Sequence, residues 1–590
     1  MPIKNNYKLL TIIKIISFNF LFIHLIQTNK SIIILKEKNG KPKTNKLIKE
    51  NFFIIDSNNL EEVDSYMYGY SISKKGILTN NYYIRKGNYE EQGPLGAYIF
   101  IRRNLNEIQI NQDYYGSYGI YIYENNGYFA FSNSFLLLVE HLIENRNMTF
   151  NKDFADNLII SRLYSYSIYE TLVKEINKIP SNSYITINIK EKKYNINYIN
   201  QQRYTVPLES EEGLKIIDKW ADKWGYIFRS LRKKTNNIKM DLSGGFDTRA
   251  VLSILSNSGI DLNGILINSI NKKVHNHEED FRIATNISSK LGFKLNNKSL
   301  DDEETNFDIK TSLDISMYTK LGFHKDFYFR YGFFKKPRFL LTGGWGEILR
   351  GYPNMPIQEY IESISCSSRN INNHEKFYDS SKKLLKRSIN RLKKERKYND
   401  DYELSIDLYL RGSGLNHFGK ACVESFIGNE YKLEPLSDPD IKKIKISNND
   451  EKSLHNLIAY IYVRFCHDLI YFPFEGKRIL NSDSIKFAEQ INNKSFPYKI
   501  KSDYNKNFFI DNKRKAPLNP TKYKPKPEAY LKEIFLRRNF SSNINKIYNT
   551  SVYNWAKKFS EKSNYHPLRH FNSLLAINVI IDDLSKKNRN

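Results

Sequence analysis

Lys239-Met240-Asp241-Leu242-Ser243-Gly244-Gly245-Phe246-Asp247-Thr248-Arg249-Ala250-Val251-Leu252 sets two adjacent glycines between a short apolar run and the start of an amphipathic one. That punctuation reads as strand, tight turn, helix. Glycines in such a turn let backbone N–H groups converge on one anion with no Cβ in the way. The positive end of the following helix adds to the attraction. Ser243 and Thr248 bring hydroxyl donors, and Asp247 is placed to hold a magnesium ion that would neutralise phosphates. The loop is not of the Walker A kind, since no Gly-Lys-Ser/Thr follows. Gly and Asp also serve in ordinary strand-to-helix turns, so the surrounding chain has to decide.

Outward from the turn, the pattern predicts a strand over 238–242, a helix over 247–256, a strand over 264–268 and a helix over 279–291. A further strand over 338–341 runs into the glycine-rich turn Thr342-Gly343-Gly344-Trp345-Gly346. Alternation at this spacing argues for a parallel sheet covered by helices. Upstream, residues 211–234 carry Leu214, Ile217, Trp220, Trp224, Ile227 and Leu231 on one helical stripe. Before about residue 205 the period is that of strands, over 51–56, 96–102, 107–111, 118–123, 128–132 and 183–189. Asn125-Asn126-Gly127 reads as a hairpin turn. The rest of the C-terminal chain reads as mainly helical, strongly basic over 386–397, with an extended loop over 523–527.

The bulk numbers fit a multidomain globular chain: 590 residues, 40% hydrophobic, with 36 Phe and 42 Tyr to fill cores. The net charge of +27 is spread along the whole length. It suits a polyphosphate ligand as well as a nucleic acid, and no specific nucleic-acid partner is expected. Only Cys366, Cys422 and Cys466 occur, with no zinc spacing and no need for disulfides, which suggests a reducing, cytoplasmic setting. Residues 9–26 are apolar over about the minimum bilayer-spanning length, but they contain Lys14 and no small-residue cleavage site follows. Both a weak membrane association and a helix of an N-terminal extension stay open.

Ser243-Gly244-Gly245-Phe246-Asp247-Thr248 resembles the PP-loop of the ATP pyrophosphatases. Around it, the chain resembles the asparagine synthetase family, patchily over about residues 85 to 500. Residues 96–101, then Asp113 and Gly116, then Ser132 resemble elements of that family's glutaminase-type domain. Residues 341–352 resemble its S-G-E-G-A-D-E-L-F-G-G-Y motif, with Gly344, Glu347, Gly351 and Tyr352 in register, and Pro435 to Asp438 is similar to its P-F-L-D. The resemblance implies an extension over 1–50 and a glutaminase-like α+β sandwich of the Ntn-hydrolase type over 51–205. Over 206–590 it implies an α/β parallel-sheet PP-loop domain with a helical C-terminal part. It also implies ATP and Mg2+, with Ser243, Gly244, Gly245, Phe246, Asp247, Thr248 and Gly344 at the nucleotide and Asp247 and Glu347 as metal-binding and catalytic acids.

Two departures shape the functional expectation. Glutamine-hydrolysing members use an N-terminal cysteine as nucleophile, and here no cysteine precedes Cys366. The nitrogen source is then ammonia or a substrate amine, as in β-lactam synthetases and lasso-peptide cyclases. Gly346 stands where the motif has a magnesium-binding Asp. The resulting expectation is a ligase that adenylates a small-molecule or peptide carboxylate and forms an amide. A tRNA-modifying PP-loop enzyme and an inactive scaffold are the alternatives. His275, His277, Glu278 and Asp280 form a polar cluster, Glu279 and Asp280 resemble the family's acidic pair, and Lys506, Lys513, Arg514 and Lys515 offer charge for pyrophosphate or a solvated basic loop.

Overall fold

The computed structural model describes residues 50–86, 93, 95–160, 167–199, 206–271, 277–297, 309–321, 334–350, 355–366, 374–445, 455–514, 544–545, 547–548, 574–581 and 584. The stretches 9–26 and 523–527, His275, Gly351, Tyr352 and Lys515 lie outside the described residues. Among the described residues no helix is long and apolar enough to cross a membrane.

The N-terminal part is built on two antiparallel sheets. Strands β1 (Ile54–Asp56), β2 (Tyr66–Ser73), β3 (Gly76–Leu78), β4 (Leu95–Arg103), β5 (Glu107–Gln112), β6 (Ile120–Asn125), β7 (Tyr128–Ser132), β8 (Ile176–Ile179), β9 (Ser183–Asn188) and β10 (Lys193–Tyr198) divide between them. One sheet has the order β1-β7-β6-β8 and the other β10-β9-β5-β4-β2-β3. Side chains alternate between faces along a strand. Ile120, Ile122, Phe129 and Phe131 of the first sheet therefore share a core with Ile99, Ile101, Ile108, Ile110 and Ile185 of the second. The outer face of the first sheet, Tyr121, Tyr123 and Ala130, packs on helices, while Met67, Tyr98 and Phe100 on the second lie against Tyr82 and Tyr83. Those helices are α1 (Asn80–Lys86), α2 (Phe135–Leu142) and α3 (Lys152–Ile160). Asn126 and Gly127 both have positive φ, 50° and 76°, the paired left-handed conformation of the hairpin turn read from sequence.

A two-stranded pairing of β11 (Val206–Pro207) with β16 (Ile444–Lys445) precedes α4 (Glu211–Arg232). The apolar stripe of α4 is buried at Ile217, Trp220, Trp224, Ile227 and Leu231. The second sheet system has the order β13-β12-β14-β15, every pair parallel: β12 (Ile238–Asp241), β13 (Leu266–Asn268), β14 (Arg338–Leu341) and β15 (Glu430–Leu433). Its helices in chain order are α5 (Phe246–Ser256), α6 (His277–Leu291), α7 (Ile309–Lys320), α8 (Gly346–Leu349), α9 (Ile357–Cys366), α10 (His374–Glu395), α11 (Asp401–Tyr409), α12 (Lys420–Ile427), α13 (Asn456–Phe465) and α14 (Ser482–Lys494). A π-helical segment, Leu410–Gly419, joins α11 to α12.

The chain runs from β12 through α5 to β13 on one side, then returns to place β14 on the other side of β12. Connections thus leave β12 and β14 in opposite directions. The crevice beyond the carboxyl ends of two such strands is where open α/β sheets bind ligands. Both turns singled out in the sequence lie there. Several sequence expectations shift. The strand expected over 51–56 begins at Ile54. The one expected over 118–123 begins at Ile120, because Gly116 and Gly119 take positive φ and keep Tyr118 in a turn closed by the Gly119 N–H to Gly116 carbonyl bond. The mainly helical C-terminal reading omits β15, the outer strand of the parallel sheet.

Candidate functional site

Ser243 to Thr248 turn from β12 into α5. The Ser243 and Thr248 hydroxyls lie 3.0 Å apart, and Thr248 Oγ1 accepts the Ser243 N–H at 3.2 Å. The Gly245 N–H reaches Ser243 Oγ at 3.2 Å, so the loop is closed by its own hydroxyls. The Gly244 N–H donates to Asp280 Oδ1 at 2.7 Å, and a Cβ on Gly244 would sit 2.8 Å from the same oxygen. A carboxylate of α6 already rests on one amide of the turn. The cap residue of α5 is Gly245, so no cap side chain accepts from the first amides of the helix.

Phe246 points inward, against the expectation that it lines the ligand. Its ring is buried, stacked at 3.9 Å on Phe474, and its carbonyl accepts from the Tyr462 hydroxyl at 2.6 Å. The side chain anchors the loop, which leaves only its backbone for a ligand. Beneath the turn, Arg249 donates to the carbonyls of Phe472 and Pro473, each at 2.8 Å.

The second turn, after β14, packs directly on the first. A Cβ at Gly343 would fall 2.6 Å from the Thr248 nitrogen, and one at Gly346 would fall 2.4 Å from Asp247 Cγ. Gly344 is fixed against Glu434, whose Oε1 would lie 2.5 Å from an added Cβ. Trp345 takes φ 67°, a left-handed conformation costly for any residue with a Cβ. Its indole N–H is held by Glu434 Oε2 at 2.9 Å, and its ring stacks at 4.0 Å on Tyr115. Tyr115 belongs to the Asp113 to Gly116 turn of the N-terminal part, so the two halves meet at this loop. Asp113 organises that turn from inside, accepting the amides of Tyr98, Tyr115 and Ser117; burial nonetheless pushes its carboxyl up to about 6.

The two expected acids come together, each with a partner. Both oxygens of Asp247 are taken by Arg350, Nε to Oδ1 at 3.0 Å and Nη2 to Oδ2 at 2.9 Å. Glu347 Oε2 accepts the Tyr409 hydroxyl. Burial, reinforced by the nearby Asp247 charge, raises the Glu347 carboxyl above its ordinary range. Among the described residues no group of three His, Cys, Asp or Glu side chains could hold a metal ion.

Three basic groups that the sequence reading missed gather at the loop. The guanidiniums of Arg350 and Arg478 lie 5.4 and 5.2 Å from the Phe246 ring, and the His455 ring lies 4.9 Å from it. Burial, then the charges of Arg350 and Arg478, lower the His455 pKa, so like charges converge on one point. Only Arg350 was within reach of the sequence, since it stands where the quoted motif has Gly; Arg478 and His455 come from distant segments. Of the other candidates, His277 lies 3.6 Å from Asp280, while Glu279 accepts the Gly476 amide at 2.9 Å. Arg514 is engaged over the Phe426 ring, 3.6 Å away, and Lys506 and Lys513 are exposed. No protein-family model and no curated protein matches the chain.

Proposed function

We propose that the chain is an ATP-dependent carbon–nitrogen ligase, with a glutaminase-like sandwich of the Ntn type in front of a PP-loop domain. The observation that carries this reading is the pairing of two glycine-rich turns at the carboxyl ends of adjacent parallel strands, with Arg350, Arg478 and His455 gathered at an uncapped helix N-terminus. A polyphosphate fits that charge distribution. Bound there, ATP supplies activation: a substrate carboxylate attacks the α-phosphorus, pyrophosphate leaves, and the acyl group passes from AMP to ammonia or an amine.

The chain's own residues position and neutralise, which is most of what phosphate chemistry asks of a protein. Ser243, Thr248 and the first amides of α5 hold the leaving phosphates. Arg350 and Arg478 meet their charge. Gly344 keeps the second turn close enough to frame the reacting carboxylate. Asp247 and Glu347 are the residues that would hold a magnesium ion, but both carboxylates already have partners and among the described residues no third ligand accompanies them.

Exchange of labelled pyrophosphate into ATP, screened over amino-acid, sugar-acid and peptide carboxylates, tests the proposal. Exchange that depends on one carboxylate class and disappears in Asp247→Ala and in Ser243→Ala is the expected result. No exchange with any of them, in protein that stays folded, favours the second reading, a catalytically inactive scaffold. One feature speaks for that second reading: the Gly244 amide and the Asp247 carboxylate are both satisfied internally.

A further inference from the structure

The charge balance at Asp247 is unusual for a site read as metal-dependent. Its carboxylate meets Arg350 through two parallel bonds of 3.0 and 2.9 Å, the strongest geometry open to this pair. Roughly one-fifth of each side chain is exposed, so the pair is shielded from much of the solvent. A divalent ion on the same carboxylate would sit near the guanidinium. The guanidinium would repel a divalent ion held that close to it.

The neighbouring positions point the same way. At 346, where the resembled motif supplies a second acid, the chain has Gly, and Asp247 fills the space its side chain would need. Glu347 is turned to the Tyr409 hydroxyl. At 350, where the motif has Gly, this chain has the arginine. One acid is gone and one fixed cation has arrived, in contact with the same carboxylate. Only Nε and Nη2 of Arg350 are used by Asp247; among the described residues Nη1 has no partner, which leaves hydrogens for a second anion.

We propose that the cation of this loop is the Arg350 guanidinium, which occupies the carboxylate the resemblance would give to a divalent ion, so that the chain binds phosphate without holding a metal at Asp247 and Glu347. The proposal rests on the nucleotide-binding reading for its ligand, while its statement about metal stands on the side chains alone.

Two measurements on the full chain separate these. The first uses Mn2+ alone, followed by its magnetic-resonance signal. Wild type is expected to bind no ion that Asp247→Asn removes, whereas Arg350→Gly, or Arg350→Gln if the first does not fold, gains such an ion. A wild-type site lost in Asp247→Asn overturns the proposal, and so does failure of both folded Arg350 variants to gain one. The second uses inorganic pyrophosphate in calorimetry. Wild type is expected to bind it in the presence of a chelator, with affinity changed less than about threefold by added Mg2+, while Arg350→Gln loses about tenfold or more with the chelator present. Binding only with Mg2+ overturns the proposal and keeps the nucleotide reading. Absence of pyrophosphate and ATP binding under either condition removes the nucleotide reading, and the Mn2+ measurement still decides the matter of the metal.

Discussion

Arg249 fixes the first turn from below, and its hydrogen-bond partners among the described residues are all backbone carbonyls. It is fully buried, with Nη1 donating to Phe472 and Leu469 carbonyls at 2.8 and 3.3 Å and Nη2 to the Pro473 carbonyl at 2.8 Å. Its guanidinium lies 3.7 Å from the Phe474 ring, the ring on which Phe246 stacks. Burial lowers its pKa to about 10, still far above neutrality, so the charge is kept and is met by carbonyl dipoles and a ring face. Arg249→Met keeps much of the stem but leaves the carbonyls of 469, 472 and 473 without their donor. Each such loss costs roughly 1 to 3 kcal/mol when water cannot replace it. The variant is therefore expected to unfold at clearly lower urea concentration and to lose pyrophosphate binding with it. An unchanged midpoint would show that water reaches those carbonyls.

At the scale of elements, the site depends on how closely the turns after β12 and β14 approach. Gly343→Ala puts a Cβ 2.6 Å from the Thr248 nitrogen and 2.7 Å from the Asp247 carbonyl carbon, and backbone atoms cannot swing aside as a side-chain tip can. Overpacking of this kind costs about 1 to 3 kcal/mol. Gly127→Ala provides the contrast, since nothing lies within 4 Å there and only its φ of +76° opposes a side chain, a penalty of about 1 to 2 kcal/mol. Both variants should lower the thermal midpoint, but only Gly343→Ala should also weaken pyrophosphate binding; equal binding in the two would mean the turns need not touch. These turns were legible because each follows a four-residue strand and carries paired glycines, and the end of β14 came out to the residue. β15 was not, because Glu430 and Lys432 alternate with Tyr431 and Leu433 in a run too short to stand out. Glu430 is tolerated inside only because Arg338 of β14, 92 positions earlier, pairs with it across the sheet. The position of Arg350 was within reach of the motif, but its pairing with Asp247 was not. Its role comes from a partner on another helix, and no local pattern records that.

Across the whole molecule, the two parts are joined by specific contacts as well as apolar ones. The Tyr70 hydroxyl donates to the Lys432 carbonyl at 2.8 Å, Asn81 bonds Asp511 at 2.6 Å, and Tyr115 stacks on Trp345. Amines are buried at the same junction. Lys420 of α12 donates to the Tyr118 carbonyl, Lys320 pairs with Glu424 at 2.5 Å, and Lys178 of β8 lies close to Lys420 around Gly119. Burial lowers the Lys178 pKa to about 7, and burial together with the Lys178 charge takes Lys420 well below its ordinary value. The sign follows from proton counts. Between about pH 7 and 10.5 the folded chain holds fewer protons on Lys178 than the unfolded chain does, so this residue's contribution to stability improves as pH rises through that window and is worst below it. Lys178→Met removes the titration while keeping an unbranched apolar stem. It is expected to be more stable than wild type at pH 7, by on the order of 2 kcal/mol once relaxation around the amine is allowed for. The difference should shrink as pH is raised to about 9.5, because wild type recovers while the variant does not respond. Paired urea denaturations at the two pH values read this, since groups remote from Lys178 cancel and the relief of Lys420 on losing a like charge acts in the same direction. A gap that stays constant with pH would mean that Lys178 keeps its proton at the junction through a charge partner, and that burial does not govern its titration.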